Sequence, residues 1–173
     1  MKIFTFGLCG ILVSGAACAA LPFTGMYQTI DDETNLPKSI VKLYEYKDGN
    51  DSLLAGRIVA LYDEKGNVSE TINNPVKIAE KVAGSPKYVG LDIIWKMEWD
   101  SDDSEYTDGK IMDPKKGSVY SSEIWKDYND KLRVRGKIGP FGRTQTWNVL
   151  SDSDLPAELK NIDTTNWKPI IRK

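Results

Sequence analysis

The sequence predicts an all-β fold, an antiparallel barrel of eight strands. Three observations lead there. Apolar residues recur mainly at every second position. Turn signals separate most of the apolar runs: Asp48-Gly49-Asn50, the acidic residues 100–104, Asp113-Pro114 with Gly117, Asn129-Asp130, and Gly139-Pro140-Phe141-Gly142. Eight such runs are enough to close a barrel and hide its edges.

Residues 1–19 read as a secretory leader. Lys2 gives a positive start, Ile11 and Val13 lie in an apolar middle, and Ala17-Cys18-Ala19 fits a small-x-small cleavage site. The apolar core is too short for a spanning helix. Cys18 leaves a lipid anchor as the alternative, although Gly15 stands where a large aliphatic residue is expected. Both cysteines, Cys9 and Cys18, fall in this leader, so the processed chain is expected to rely on its core rather than on disulfides. The formal net charge of −2 becomes more negative with the loss of Lys2, which argues against a nucleic-acid-binding face. No later apolar run is long enough for a transmembrane segment.

Residues 20–150 then form the barrel. Strands are expected at 25–31, 39–46, 53–62, 88–99, 105–112, 118–128, 131–138 and 143–150. The clearest is Lys131-Leu132-Arg133-Val134-Arg135-Gly136-Lys137-Ile138: Leu132, Val134, Gly136 and Ile138 face the core, and the basic residues face out. That basic set is a solvated surface or a docking stripe for anionic partners. In the run from Tyr88 to Trp99, Val89, Leu91, Ile93, Trp95, Met97 and Trp99 share a face by strict alternation. The excursion 63–87 is too long for a turn. Within it Asn74, Pro75 and Gly84 supply a helix cap, first position and exit, which predicts a short helix over the barrel or else a partly ordered loop. The tail, 151–173, has room for another short helix at 154–160.

Five stretches, taken in order, carry a resemblance: Gly25 to Val41, Leu53 to Leu61, Tyr88 to Trp95, Gly109 to Trp125, and Lys131 to Trp147. They resemble the bacterial domain-of-unknown-function family 2147, whose members look like secreted or periplasmic lipocalin-like (calycin-type) barrels. The Gly109-Lys110-Ile111-Met112-Asp113-Pro114 run and the final Arg143-Thr144-Gln145-Thr146-Trp147 are its most specific parts. Two departures count. Gly25-Met26-Tyr27 stands where Gly-x-Trp is usual, and residues 70–86 lack the cysteine pair many members carry, so no redox or metal role passes to this chain. By analogy with lipocalins, the resemblance implies that Tyr27 packs under Arg143 or Arg135 to close one end.

The composition limits the chemistry. The chain contains no histidine, and no cysteine beyond the leader. That removes a Ser-His-Asp triad, a cysteine nucleophile and the usual zinc or copper ligands. No cofactor is expected. Acidic residues cluster at Asp31-Asp32-Glu33 and around 100–108, but the second group lacks the glycine and the terminal glutamate of a calcium loop. The first is too compact to flank a glycosidic bond. Carboxylate-dependent catalysis is therefore the weakest of the readings.

An eight-stranded barrel is filled by its own side chains or holds one small ligand. Tyr27, Trp95, Tyr120, Trp125 and Trp147 are expected to line the lumen, with Arg143 and Gln145 fixing a polar head. Alternatively, Arg143 closes the barrel and Gln145 bonds internal groups. The expected partner is a small apolar or amphipathic ligand, fatty-acid-like in one form. The rival is a non-enzymatic envelope interaction protein with a filled core, docking partner proteins through Arg133, Arg135 and the excursion.

Overall fold

A computed structural model describes residues 21–172. The leader expected at 1–19 lies outside the described residues. Nine strands follow in order: β1 (Gly25–Ile30), β2 (Pro37–Asp48), β3 (Asp51–Tyr62), β4 (Val68–Thr71), β5 (Asp92–Asp100), β6 (Glu105–Asp113), β7 (Ser118–Lys126), β8 (Leu132–Ile138) and β9 (Phe141–Leu150). All neighbouring pairs are antiparallel, and the order β2-β1-β9-β8-β7-β6-β5-β3 is closed by β2 pairing with β3. Eight strands thus form the barrel, and the short β4 adds to the edge of β3 beyond the point where β5 stops. The two-residue period of the sequence becomes alternation between lumen and outer wall.

The lumen is filled with large side chains. Register pairs Tyr27 with Val41, Leu54 with Met97, Tyr106 with Ile124, Ile124 with Val134, and Leu132 with Trp147. Of these, Leu54, Met97, Tyr106, Ile124, Leu132 and Trp147 are almost wholly inaccessible to solvent. This is close packing across the middle of the barrel, of the kind that makes interiors as dense as organic crystals.

Several bulges break strict alternation, and those on β5 and β6 matter most for the lumen. Lys96 lies in the left-handed region (φ 57°), and the advance of two positions from Leu54 to Gly56 on β3 is matched by an advance of three from Ile94 to Met97 on β5. The displaced Lys96 N–H donates to the Tyr46 hydroxyl at 3.2 Å. The extra residue switches faces. Ile94, Met97 and Trp99 share the lumen side, whereas Trp95 pairs with Lys110 and turns outward. It is still buried, in the main apolar cluster that also holds Ala79, Val82 and Met112. A second bulge at Asp108 (φ 55°) lies in β6. Gly109 follows it, and a methyl group there would overlap Met97 Sδ, so close approach of the two strands requires glycine.

The helix expected in the 63–87 excursion does not form. Ala79 N–H goes to the Pro86 carbonyl and Tyr88 N–H to the Lys77 carbonyl, which folds the segment back on itself as a loose hairpin. The Glu70 carboxylate accepts the amides of Val76 and Lys77 at 2.7 and 2.9 Å. Ala79 and Val82 are buried, but Val76 is exposed, so the segment has too few buried apolar residues to stabilise so short a helix. Tyr88 Oη donates to Pro114 O at 3.4 Å, and Gly117 admits the backbone of Lys81. The loop therefore packs on the β6–β7 turn.

The tail makes 3-10 turns at Asp152–Asp154 and Ala157–Leu159 rather than one helix. It runs over the outer wall. Leu155 and Leu159 cover Met26, Ile40, Val59 and Ala60, and Trp167 lies against Tyr44 with ring centroids 5.1 Å apart. An ion pair anchors it. Asp92, whose side chain has no exposed surface, accepts Arg57 Nε and Nη2 at 2.9 and 2.8 Å, the Tyr44 hydroxyl at 2.8 Å and Ile170 N–H at 2.9 Å. The Arg57 guanidinium also lies 4.3 Å from the Trp167 ring centre.

Candidate functional site

The two ends of the barrel differ. At the end where β1 begins, the preceding residues plug the opening. Phe23, itself in the left-handed region (φ 64°), packs edge-on to Trp99 and Tyr106 with centroids 5.4 and 5.7 Å away. Tyr27 Oη donates to Phe23 O at 2.9 Å and Tyr106 Oη to Pro22 O at 2.8 Å. The Lys126 ammonium stands 5.8 Å from the Phe23 ring centre. Burial, helped by the charge of Asp130, pushes the Tyr27 hydroxyl up to about 12, so it stays a neutral donor.

This corrects the closing pair implied by the lipocalin analogy. Tyr27 sits opposite Val149, whereas Arg143 is six residues further along β9, roughly 20 Å at about 3.3 Å per residue. Arg135 faces the outer wall, opposite Glu123 and Thr144. The cation over the plug is Lys126.

The other end is where the β1–β2, β6–β7 and β8–β9 turns and the β3–β5 excursion lie. Along the lumen face of β9 exposure rises steadily: Trp147 is 1 % exposed, Gln145 is half-buried and the Arg143 side chain is 67 % exposed. A polar chain follows that row. Trp147 Nε1 donates to Gln145 Oε1 at 3.3 Å, Gln145 Nε2 donates to Asp32 Oδ2 at 2.7 Å, and Arg143 Nη2 meets the same oxygen at 2.6 Å. Beside it, Gly136 stands opposite Arg143. A methyl group on Gly136 would sit 3.3 Å from Ile111 Cγ2 and 3.6 Å from Tyr120 Cβ, which places these half-buried residues on the same lumen face. Ile138 and Phe141 form an exposed apolar rim at the β8–β9 turn.

The β1–β2 turn is fixed by the neighbouring Asp31. Its carboxylate is held well below the usual range, first by the backbone N–H of Glu33, then by that of Thr34 and by Lys115. Lys115 and Lys38 approach it at 3.3 and 3.6 Å. Asp31 thus builds the loop, and Asp32 is left to face Arg143 and Gln145.

The structure therefore brings together Arg143, Gln145 and Trp147, with Tyr120 beside them. Tyr27 lines the plugged end. Trp95 and Trp125 do not line the lumen: the Lys96 bulge turns Trp95 outward, and Trp125 pairs with Glu105 and Arg133 on the face opposite Ile124. The sequence reading missed Asp32 as the partner of Arg143, and missed Phe23 and Lys126 at the plug. It also passed over Asp92, although an acid inside Leu91-Asp92-Ile93-Ile94-Trp95 signals a buried carboxylate that must find a cation. Among the described residues, no three acidic side chains converge on a metal-sized site, and no helix is long and apolar enough to cross a membrane.

A barrel with these strands and this final Arg143-to-Trp147 row can be set beside known proteins. The family described as "Uncharacterized protein conserved in bacteria (DUF2147)" matches residues 25–149. The chain belongs to this family. The DUF2147 match runs from the first residue of β1 almost to the end of β9 and stops short of the tail. Among solved structures, a protein from the human pathogen Helicobacter pylori, described as belonging to the lipocalin family, is similar in fold. Its TM-score is 0.54 at 20 % identity, over 75 % of this chain and 84 % of that one. At that identity the likeness concerns the fold alone, and it makes this DUF2147 protein a lipocalin-like barrel. Among curated proteins, none matches the chain.

Proposed function

We propose that this protein is a secreted or periplasmic binding barrel that holds a small, mainly apolar ligand without transforming it. The ligand sits at the mouth, its polar head on Arg143 and Gln145 and its apolar part against Tyr120, Ile111 and the Ile138–Phe141 rim. The observation that carries this reading is the β9 row, in which the lumen face passes from a buried indole to an exposed guanidinium. Asp32 occupies the donors of Arg143 and Gln145, as a ligand carboxylate would. A charge-assisted pair of this kind suits a carboxylate or phosphate head. The lipocalin-like fold and the leader-like start of the sequence support binding and export respectively.

The test is native mass spectrometry on protein purified without detergent from its own cell envelope. A reproducible added mass is expected, lost in Arg143→Ala with the melting temperature unchanged, and lost in Gln145→Ala in protein that still folds although the Trp147 indole N–H loses its acceptor. Arg143 is largely exposed, so its loss changes stability by less than about 1 kcal/mol. Bare protein that also fails to bind the probe dye 1-anilinonaphthalene-8-sulfonate refutes the mouth site.

The filled middle of the barrel favours a second reading. Trp147, Tyr106, Met97 and Leu54 leave the deep lumen packed. In that reading the barrel is a scaffold, and its outer wall meets an envelope partner.

A further inference from the structure

One polar side chain of the lumen face is left without a partner. Ser122 lies on β7 between Tyr120 and Ile124, on the face that alternation turns into the barrel. It is 1 % exposed, and its hydroxyl has no hydrogen-bond partner among the described residues. A buried hydroxyl without a partner costs stability, and native interiors carry few of them.

The residues beside Ser122 have no side chains. Across the sheet it pairs with Gly109 of β6 and Gly136 of β8, and Gly136 pairs in turn with Arg143. The lumen row from Gly109 to Arg143 therefore holds one hydroxyl between two glycines and ends on the guanidinium of the mouth. Met97 packs onto Gly109, and Ile111 with Tyr120 leans over Gly136. Tyr120 is two residues nearer the mouth than Ser122, about 7 Å along the strand. Ile124, two residues deeper, belongs to the packed middle. Ser122 thus marks the floor of the mouth, with its backbone two strands and about 10 Å from that of Arg143.

We infer that Ser122 is the inner polar contact of the mouth site, and that the ligand is a carboxylate or phosphate amphiphile with an oxygen at the inner end of its apolar part. The inference rests on the mouth reading proposed above and adds the chemistry of the ligand's far end. To reach the serine, that end parts Ile111 and Tyr120, which are half-buried at the open end of the barrel. Met97 can yield as well, because an unbranched thioether adapts its shape. A hydrocarbon end leaves the Ser122 hydroxyl unpaired. A hydroxyl or carbonyl oxygen there pairs with it in a site closed to water, where a hydrogen bond is at its strongest.

The probes are short to medium-chain carboxylates, each matched with the ω-hydroxy carboxylate of the same number of heavy atoms. In titration calorimetry, the hydroxy member of at least one pair should bind no more weakly than its plain partner. Its 15N amide shifts should include Ser122 and Gly136. In Ser122→Ala the ligand hydroxyl is buried without a partner, so the affinity ratio of hydroxy to plain member should fall about tenfold. The plain carboxylates should bind the variant as they bind the parent. Without ligand, Ser122→Ala should melt no lower than the parent, because it breaks no hydrogen bond of the fold. Three results overturn the inference and leave the mouth reading standing: a hydroxy end rejected in every pair, a ratio unchanged in Ser122→Ala, or a melting temperature lowered by more than about 3 °C, which would show a structural hydroxyl. Failure of every carboxylate to bind would refute the mouth reading itself, and the inference with it.

Discussion

Replacing Asp92 by alanine tests what holds the tail to the wall. The carboxylate accepts four hydrogen bonds, two from Arg57 and one each from Tyr44 and the Ile170 amide. Its removal strands a guanidinium whose side chain is only 14 % exposed, and breaking a buried pair from one side costs about 3–5 kcal/mol. The small exposure lets Arg57 swing partly toward water, which favours the lower end. At roughly 2–4 °C per kcal/mol for a domain of this size, the melting temperature should fall by about 10 °C. Two assays follow the change: a calorimetric melt for the barrel, and Trp167 fluorescence with limited proteolysis for the tail. The paired control is Arg57→Met with Asp92→Leu. It removes both charges together and should cost well under the single variant, because no charge is orphaned. A drop of less than about 3 °C for Asp92→Ala would refute the reasoning, since it would value the pair near an exposed one. A double variant as damaged as the single one would refute it too.

Two further predictions concern the lumen. Trp147→Ala should cost about 3–5 kcal/mol in urea unfolding, because the indole is inaccessible and its cavity is ringed by a closed sheet. A cost under about 1 kcal/mol would mean that the lumen is loosely filled. The buried tyrosines should make the fold alkali-sensitive. Burial raises the hydroxyls of Tyr27, Tyr44 and Tyr106 above the unfolded value near 10. Their contribution is fully present below that value and is lost as pH rises through the folded values, near 12 for Tyr27. The urea midpoint should therefore hold steady to about pH 9.5 and fall beyond about pH 10, with delayed tyrosine ionisation at about 295 nm. Complete ionisation by about pH 10.5 in a protein still native by circular dichroism would contradict this burial.

Strand existence was readable because a barrel wall imposes one rule on every residue, lumen or outside, and the chain obeys it nearly throughout. Leu132, Val134 and Gly136 face inward as their spacing predicts, and Arg133 and Lys137 face outward to Asp127 and Glu123. The errors collect where the period slips. One bulged residue, Lys96, was enough to reverse Trp95, because a slip of one position exchanges faces. The helix in the excursion failed for a different reason. Its cap signals at Asn74, Pro75 and Gly84 are local, but the amide of Ala79 is committed to Pro86, seven residues away in sequence. The candidate site was half legible: alternation alone set Arg143, Gln145 and Trp147 on one side of one strand. Their partner Asp32 comes from a turn more than a hundred residues earlier, and only closure of the barrel brings it there.

Closure also determines which end can work. The plug of Phe23 with Trp99 and Tyr106 is apolar, edge-packed and hydrogen-bonded through two tyrosine hydroxyls to backbone carbonyls. Opening it would unpack aromatic rings and strand buried donors together, each a cost of about a kcal/mol or more. At the mouth the contacts to Asp32 are exposed ion-pair and amide contacts, worth little against water. A ligand carboxylate that takes the place of Asp32 loses almost nothing from the protein and regains a pair of the same kind. Affinity must then come from the apolar part of the ligand, set against Tyr120, Ile111, Ile138 and Phe141. The mouth should therefore discriminate by tail more than by head: lengthening the apolar tail of a carboxylate should tighten binding by roughly 0.8 kcal/mol per buried methylene until the packed lumen stops it. Affinity that is flat with tail length in a titration of short to medium-chain carboxylates would place the recognition in the head alone and refute this arrangement.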